Sequence, residues 1–302
     1  MRLFCFGFGY CASHYVAQYG HLFDDIAGTV RTDQKVARIA ARHVDSAPVE
    51  VMVFDGGSPP PDLAARLAAA DRILISIPPV AAANTTADAS GDPVLMRLSD
   101  AVERSTPGSI VYLSTVGVYG DRGGAWVDET TPANPQSARS RARLSAERAW
   151  QALGTRINAP VAILRLAAIY GPGQNSLVNL SQGHARRLTK PGQVFNRIHV
   201  ADIAQAIQAA FTRQAEGIFN VSDDEPAPPG DPIMFAAGLL GIAPPPELAF
   251  EAAAPTLSPI ALSFYEENKR VRNERLKSHL GVKLIYPTYR EGLKALHAAR
   301  DA

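Results

Sequence analysis

Cysteine is almost missing from this chain: Cys5 and Cys11 are the only two in 302 residues. Two thiols cannot build a disulfide scaffold or a four-ligand zinc site, and their scarcity fits a reduced, cytoplasmic setting. A surplus of either charge is missing too, with 30 Lys and Arg against 29 Asp and Glu and a formal charge of +1. Nucleic-acid and membrane-surface binders carry a basic surplus, so neither partner is expected. No apolar run reaches the roughly 18 residues that span a bilayer. The apolar start, residues 1–8, is cut by Gly7 and lacks an A-x-A cleavage site, so it reads as a strand and not a signal peptide. The histidines show no H-x-x-x-H or H-E-x-x-H spacing, which leaves metal without a site, and no G-x-S-x-G elbow marks a hydrolase.

What is present is an ordinary globular composition, 46% hydrophobic and 20% charged, enough to bury a core. Short apolar runs at 3–6, 26–30, 49–54, 72–77, 109–114 and 161–166 alternate with helical stretches at 10–19, 33–43, 62–70 and 137–153. That alternation predicts an α/β fold, a doubly wound parallel sheet with helices on both faces. Past Tyr170 the rhythm changes: a helix is expected over 175–188, a strand at 194–199, a helix at 201–212 and a further strand at 217–221. Thr288 and Glu291 have capping-box spacing and open a last helix. We expect a dinucleotide-binding domain over 1–170, with 198–221 returning to it, and a smaller substrate-binding lobe within 171–302 that leaves a cleft between the two.

The sharpest local signal is Gly7-x-Gly9-x-x-Ala12, placed after a strand and at the opening of a helix. Gly7 permits the tight turn, Gly9 lets a pyrophosphate approach the backbone, and Ala12 allows close helix–strand packing. The helix N-terminus offers its amides to the phosphates. Candidate cofactor contacts here are Gly7, Phe8, Gly9, Tyr10 and Cys11. Arg31 and Thr32 follow the second strand, where an acidic residue would select NAD(H), with Lys35 and Arg38 nearby. A guanidinium suits a 2′-phosphate, so NADP(H) is preferred, with NAD(H) possible. The competing reading makes these cations a solvated helix face and turns Asp33 toward the ribose.

Three further segments are specific. Residues 114–120 (STVGVYG), 165–173 (RLAAIYGPG) and 198–203 (IHVADI) resemble the Ser/Thr-rich strand end with V-Y-G, the R-x-x-x-(I/V)-Y-G-P-G segment and the I-H-V-x-D-(I/V) segment of one family. It is the extended and atypical branch of the short-chain dehydrogenase/reductases, the NAD-dependent epimerase/dehydratases, and the resemblance covers residues 1–221. It implies a Rossmann fold, a nicotinamide cofactor and a small-molecule substrate such as a nucleotide sugar. A homodimer built through two helices is also implied. The family works with a Ser or Thr and a Tyr-x-x-x-Lys pair. Thr115 matches the Ser/Thr position by its place relative to Tyr119. Counting back from Ala146-Glu147 puts Arg143 at the Lys position and Arg139 at the Tyr position. Arg143 still offers a charge to a ribose, but a guanidinium is no proton shuttle. Tyr119, Tyr170 and His199 are the alternative acid–base groups, with Tyr119 first because the family folds that segment beside the nicotinamide.

The candidate catalytic set is therefore Thr115, Tyr119 and Arg143. The resemblance adds Asp55, at the end of the third strand, as an adenine contact, although the same residue reads equally as a turn cap. It also places Ser76, Ile77 and Pro78 against the cofactor. Arg139 and Arg143 read either as a solvated helix face or as a clamp on a substrate anion. Arg186, Arg187, Lys190 and Arg197 read either as surface charge or as partners of a nucleotide-sugar diphosphate. Two functions remain open at this stage. One is an NAD(P)-dependent epimerase/dehydratase-like oxidoreductase on a nucleotide sugar or related hydroxyl or carbonyl compound, with a non-standard active site. The other is a catalytically inactive NADP(H)-binding sensor or scaffold.

Overall fold

The computed structural model describes residues 1–40, 49–80 and 91–300. Strand β1 (Arg2–Phe6) leads into helix α1 (Tyr10–Tyr19), β2 (Asp25–Val30) into α2 (Asp33–Ala40), and β3 (Val49–Val53) into α3 (Leu63–Ala68). Then come β4 (Arg72–Ile75), α4 (Pro93–Ser105), β5 (Ser109–Thr115) and the long helix α5 (Ala138–Ile157). The end of the expected helix at 33–43 lies outside the described residues.

Seven parallel strands form the main sheet, in the order Gly217–Val221, Val161–Leu166, β5, β4, β1, β2, β3. The strand order reverses beside β1, which puts a crevice at the carboxyl ends of β1 and β4. Both faces are dry. Along β1 the alternation is direct: Leu3 and Cys5 join the core under α1 and the Val200–Thr212 helix, while Phe4 and Phe6 join the core under α3, α4 and α5. This explains the continuous apolar runs, since a strand covered on both sides has no polar face to show. The large buried side chains of the second face, Trp150 and Tyr112 among them, are each worth about 1.5–3 kcal/mol of transfer free energy.

Two polar clusters inside this core are paired. Glu147 on α5 and Arg165 on the Val161–Leu166 strand are almost fully buried and meet at 2.7 Å, and Glu147 also accepts from the Ser114 hydroxyl. Asp92 caps α4 by accepting from the amides of Val94 and Leu95, and it accepts from the Trp150 indole at 3.0 Å, which ties α4 to α5.

Beyond Tyr170 the expected helix over 175–188 is shorter than its pattern. It runs only over Ser176–Ser181, because Gly183 turns the chain in a left-handed conformation at φ +68°. Arg187–Thr189 is instead a strand that pairs with Glu247–Ala249. The expected strand at 194–199 contracts to Arg197–His199, paired with Ala168–Tyr170. Two small cores hold these elements. One gathers Tyr170, Leu177, Ala236, Tyr289 and Leu293, and the other Leu188, Ala253 and Tyr265. The capping box of the Tyr289–Ala298 helix is formed by Thr288 and Glu291.

Candidate functional site

The β1–α1 turn is held before any ligand arrives. The Gly7 amide donates to the Thr29 hydroxyl at 3.0 Å, the Phe8 amide to the Thr29 carbonyl at 2.7 Å, and the Gly9 amide to the Gly7 carbonyl at 2.7 Å. Gly7 has φ +85°, and a Cβ there would lie 2.8 Å from the Ile77 side chain, so both conformation and space demand glycine. At Gly9 the reason differs. A Cβ would meet nothing nearer than the Gly7 carbonyl at 4.0 Å, so its absence leaves open space above the backbone. Helix α1 starts there with no side-chain cap and no acidic residue in its first turn, which leaves its positive end available to an anion.

That turn forms one wall of a cleft of about 540 Å³. Of the residues singled out from sequence, Gly7, Phe8, Gly9, Arg31, Asp55, Ser76, Ile77 and Pro78 line it, and Lys35 lies beside Arg31. The other three named cofactor residues are placed elsewhere. The Tyr10 hydroxyl donates to the Pro172 carbonyl at 2.9 Å. Cys11 is buried in the α1 core, where burial pushes its thiol up to about 12. Thr32 is exposed, and its carbonyl accepts from the Lys35 amide at 3.0 Å to start α2. Asp55 lines the cleft and accepts from the Gly57 amide at 2.9 Å, as a turn cap does. Thr29 and Pro93 also line the cleft and were missed. A hydroxyl inside the apolar run 26–30 was the available signal for Thr29.

The open space over Gly9, the uncapped helix end and the cationic pair at the mouth fit a dinucleotide. Gly7 to Gly9 and the α1 amides would hold the pyrophosphate, and the residues at the ends of β2 and β3 would hold the adenosine. A nicotinamide bound there would supply a hydride donor or acceptor.

The candidate catalytic residues are dispersed. Thr115 ends β5, half-buried, and its hydroxyl accepts from the Gly117 amide at 3.1 Å. An added Cβ at Gly117 would lie 3.4 Å from that hydroxyl and 3.1 Å from the hydroxyl of Ser140, so the two oxygens flank one point. Ser140 was missed. It follows Arg139 on α5, is buried, and accepts from the Ser137 hydroxyl at 2.9 Å. Tyr119 faces away from the cleft. Its ring is fully buried under the Arg165 guanidinium at 4.7 Å, and its hydroxyl donates to the Asn220 side chain at 2.8 Å. Burial raises its pKa, with Arg165 opposing.

Arg143 reaches back to β5, donating to the Leu113 carbonyl at 2.9 Å and to the Tyr112 hydroxyl at 3.3 Å. Arg139 is exposed, and its guanidinium lies 5.4 Å from the Phe264 ring centre. His199 accepts from the Ala201 amide through Nδ1 at 3.1 Å and so caps the Val200–Thr212 helix. Burial lowers its pKa to about 4, which keeps the imidazole neutral. The Tyr170 hydroxyl donates to the Thr288 carbonyl at 3.3 Å, and burial pushes its pKa up. Neither is aimed at the cleft lining.

A doubly wound parallel sheet with an anion-ready turn at its switch point is the arrangement used by dinucleotide-binding proteins. Residues 91–222 match the NAD dependent epimerase/dehydratase family. Over its full length it is similar to a functionally unknown conserved protein from Silicibacter pomeroyi DSS, with 43% identity and a TM-score of 0.85, covering 100% of this chain and 99% of that one. It shares the fold of UDP-glucuronic acid 4-epimerase from Bacillus cereus, solved in complex with NAD, at 16% identity and a TM-score of 0.75, covering 98% of this chain and 97% of that one. A 3-diazoavenalumate denitrifying reductase from Streptomyces sp. is 32% identical over 138 residues, 43% of this chain. That match spans only 45% of the reductase. Among the described residues no helix is long and apolar enough to cross a membrane.

Proposed function

We propose that this protein is an NAD(P)-dependent oxidoreductase that exchanges hydride between a bound nicotinamide and a hydroxyl or carbonyl compound, a nucleotide sugar or a related molecule. The observation that carries the reading is the cleft: glycine-walled, open above Gly9, and bordered at the end of β2 by Arg31 and Lys35 with no carboxylate from α2 among its lining residues. Those cations favour NADPH over NADH, because a 2′-phosphate gains a bidentate guanidinium partner. Thr115, with the Ser140 hydroxyl alongside, holds the substrate oxygen. Arg143 supplies positive charge near the ribose in place of the family's lysine. The small lobe within 171–302 closes the substrate side. The reductase name of the Streptomyces relative and the UDP-sugar epimerase fold both sit within this class.

A second reading has its own support. Tyr119 is sealed in the core, Arg139 packs on Phe264, and Arg143 is committed to the Leu113 carbonyl, so no phenol–lysine pair is assembled. A protein of this kind holds the cofactor and signals its redox state without catalysis.

Titration with NADPH and NADH, followed by nucleotide fluorescence, tests the common ground, and a substrate panel then separates the two readings. Micromolar binding with NADPH favoured supports the cofactor assignment; binding of neither nucleotide removes it. Hydride transfer to any panel substrate eliminates the sensor.

A further inference from the structure

Ile260 and Phe264 lie four residues apart on the Pro259–Tyr265 helix and so share one face of it, 60% and 52% exposed. The helix is anchored by its last residue. Tyr265 is buried in a small core with Leu188 and Ala253, its ring 5.1 Å from Phe195 and 4.7 Å from Phe250. Phe264 takes no part in that core. Its ring instead meets the Arg139 guanidinium, 5.4 Å from the ring centre, in the first turn of α5. The two neighbouring arginines of α5 are committed, Arg141 to the Gln136 carbonyl at 2.6 Å and Arg143 to the Leu113 carbonyl. Among the described residues the Arg139 guanidinium has no hydrogen-bond or ion-pair partner. The nearby Glu267 is taken by Lys269 at 2.6 Å. The residue after Arg139 is Ser140, whose hydroxyl flanks the backbone at Gly117 together with that of Thr115.

An exposed ring, a guanidinium without a counter-ion and a pair of hydroxyls thus meet at the start of α5. A guanidinium beside a ring offers its flat face to the ring and keeps its N–H edge for a planar anion, which a carboxylate matches in bidentate fashion. The ring and Ile260 reward flat apolar area instead of charge. We propose that the protein takes an aromatic carboxylate as its substrate, with the aromatic ring packed on Phe264 and the carboxylate on Arg139. Thr115 and Ser140 then hold the oxygen of the reacting group. The assignment rests on the oxidoreductase reading for its reaction, and it narrows the hydroxyl or carbonyl compound to one that carries an aromatic acid.

The test is isothermal titration of the full chain with cinnamate, without cofactor and with NADP⁺ present. Cinnamyl alcohol removes the charge from the probe, and 3-cyclohexylpropanoate removes the flat ring. Wild type is compared with Arg139→Gln, Phe264→Leu and, in the dinucleotide cleft, Arg31→Gln. Arg139 and Phe264 are both exposed, so neither substitution disturbs the core, and melting temperatures check this. The expected result is one cinnamate site, weakened about tenfold by Arg139→Gln and about threefold or more by Phe264→Leu. Arg31→Gln should change it less than about twofold, and both altered probes should bind more weakly than cinnamate. No cinnamate binding up to about 20 mM in either condition overturns the proposal. So does binding that is unmoved by both Arg139→Gln and Phe264→Leu, or equal affinity for cinnamate and its saturated counterpart. NADPH titrated into the same samples keeps the two readings apart. NADPH binding without cinnamate binding removes this proposal alone. Cinnamate binding that depends on Arg139 and Phe264, with no NADPH binding, supports the site and removes the oxidoreductase reading.

Discussion

Glu147 and Arg165 face each other across the α5–sheet interface, 2.7 Å apart with side chains only 1% and 4% exposed. Arg165 donates three hydrogen bonds that reach both carboxylate oxygens, and Ser114 adds a fourth bond to Glu147. The same guanidinium covers the Tyr119 ring. One buried pair therefore fixes the end of β5, the turn after it and α5 in one register. Thr115 and Ser140 flank Gly117 because of that register.

Removing one partner strands the other. Glu147→Ala should destabilise the protein by about 3–5 kcal/mol, since it leaves an uncompensated buried cation. Glu147→Gln, which keeps the shape and one acceptor, should cost less. Urea denaturation of both variants checks this, and equal stabilities would show that the pair contributes packing rather than charge.

The two glycines of the β1–α1 turn should separate by experiment. Gly7→Ala forces a side chain into a positive-φ position against Ile77 and should cost about 1–3 kcal/mol of stability. Gly9→Ala meets open space and has an ordinary φ of −93°, so melting temperature should hold. Its methyl occupies the volume assigned to the pyrophosphate, and nucleotide affinity should fall about tenfold or more. Loss of stability in Gly9→Ala with unchanged affinity would reverse these assignments.

Much of this was legible in the residues, for physical reasons. The central strands of the main sheet are covered on both faces, so they announce themselves as largely apolar runs, and Gly217–Val221 could be placed as a strand by a similar sign. The cleft was legible because a phosphate-binding turn needs small residues at fixed offsets. The interior of the site was harder. Helical spacing alone cannot show that Arg143 turns back to the Leu113 carbonyl or that Tyr119 points at Asn220. Those directions depend on partners 30 and 101 residues away in sequence. The pattern over 175–188 misled because apolar spacing continues past the point where the backbone at Gly183 stops the helix.

Cofactor choice rests on charge at the end of β2. Arg31→Ala should weaken NADPH binding about tenfold, in line with the loss of one charge-assisted hydrogen-bonded contact, while NADH binding changes less than about twofold. Lys35 remains in the cleft wall and should keep a residual preference for the phosphate. Parallel titrations of both nucleotides with wild type and variant give the comparison. An equal loss for both would move Arg31 from the 2′-position to the pyrophosphate or adenine.

His199 gives the fold a defined response to acid. Burial holds its folded pKa at about 4, below its ordinary value of 6.5, so between those values the unfolded chain binds the proton and the folded chain does not. Stability from this group is therefore full above about pH 6.5 and is lost as pH falls toward 4. The amount is on the order of 3 kcal/mol, and protonation at Nδ1 also removes the acceptor that caps the Val200–Thr212 helix. His199→Asn keeps a cap acceptor and has no proton to gain. Urea denaturation at pH 7.5 and pH 4.5 should show a smaller drop for His199→Asn than for the wild type. Parallel losses in the two proteins would place the acid sensitivity in other groups.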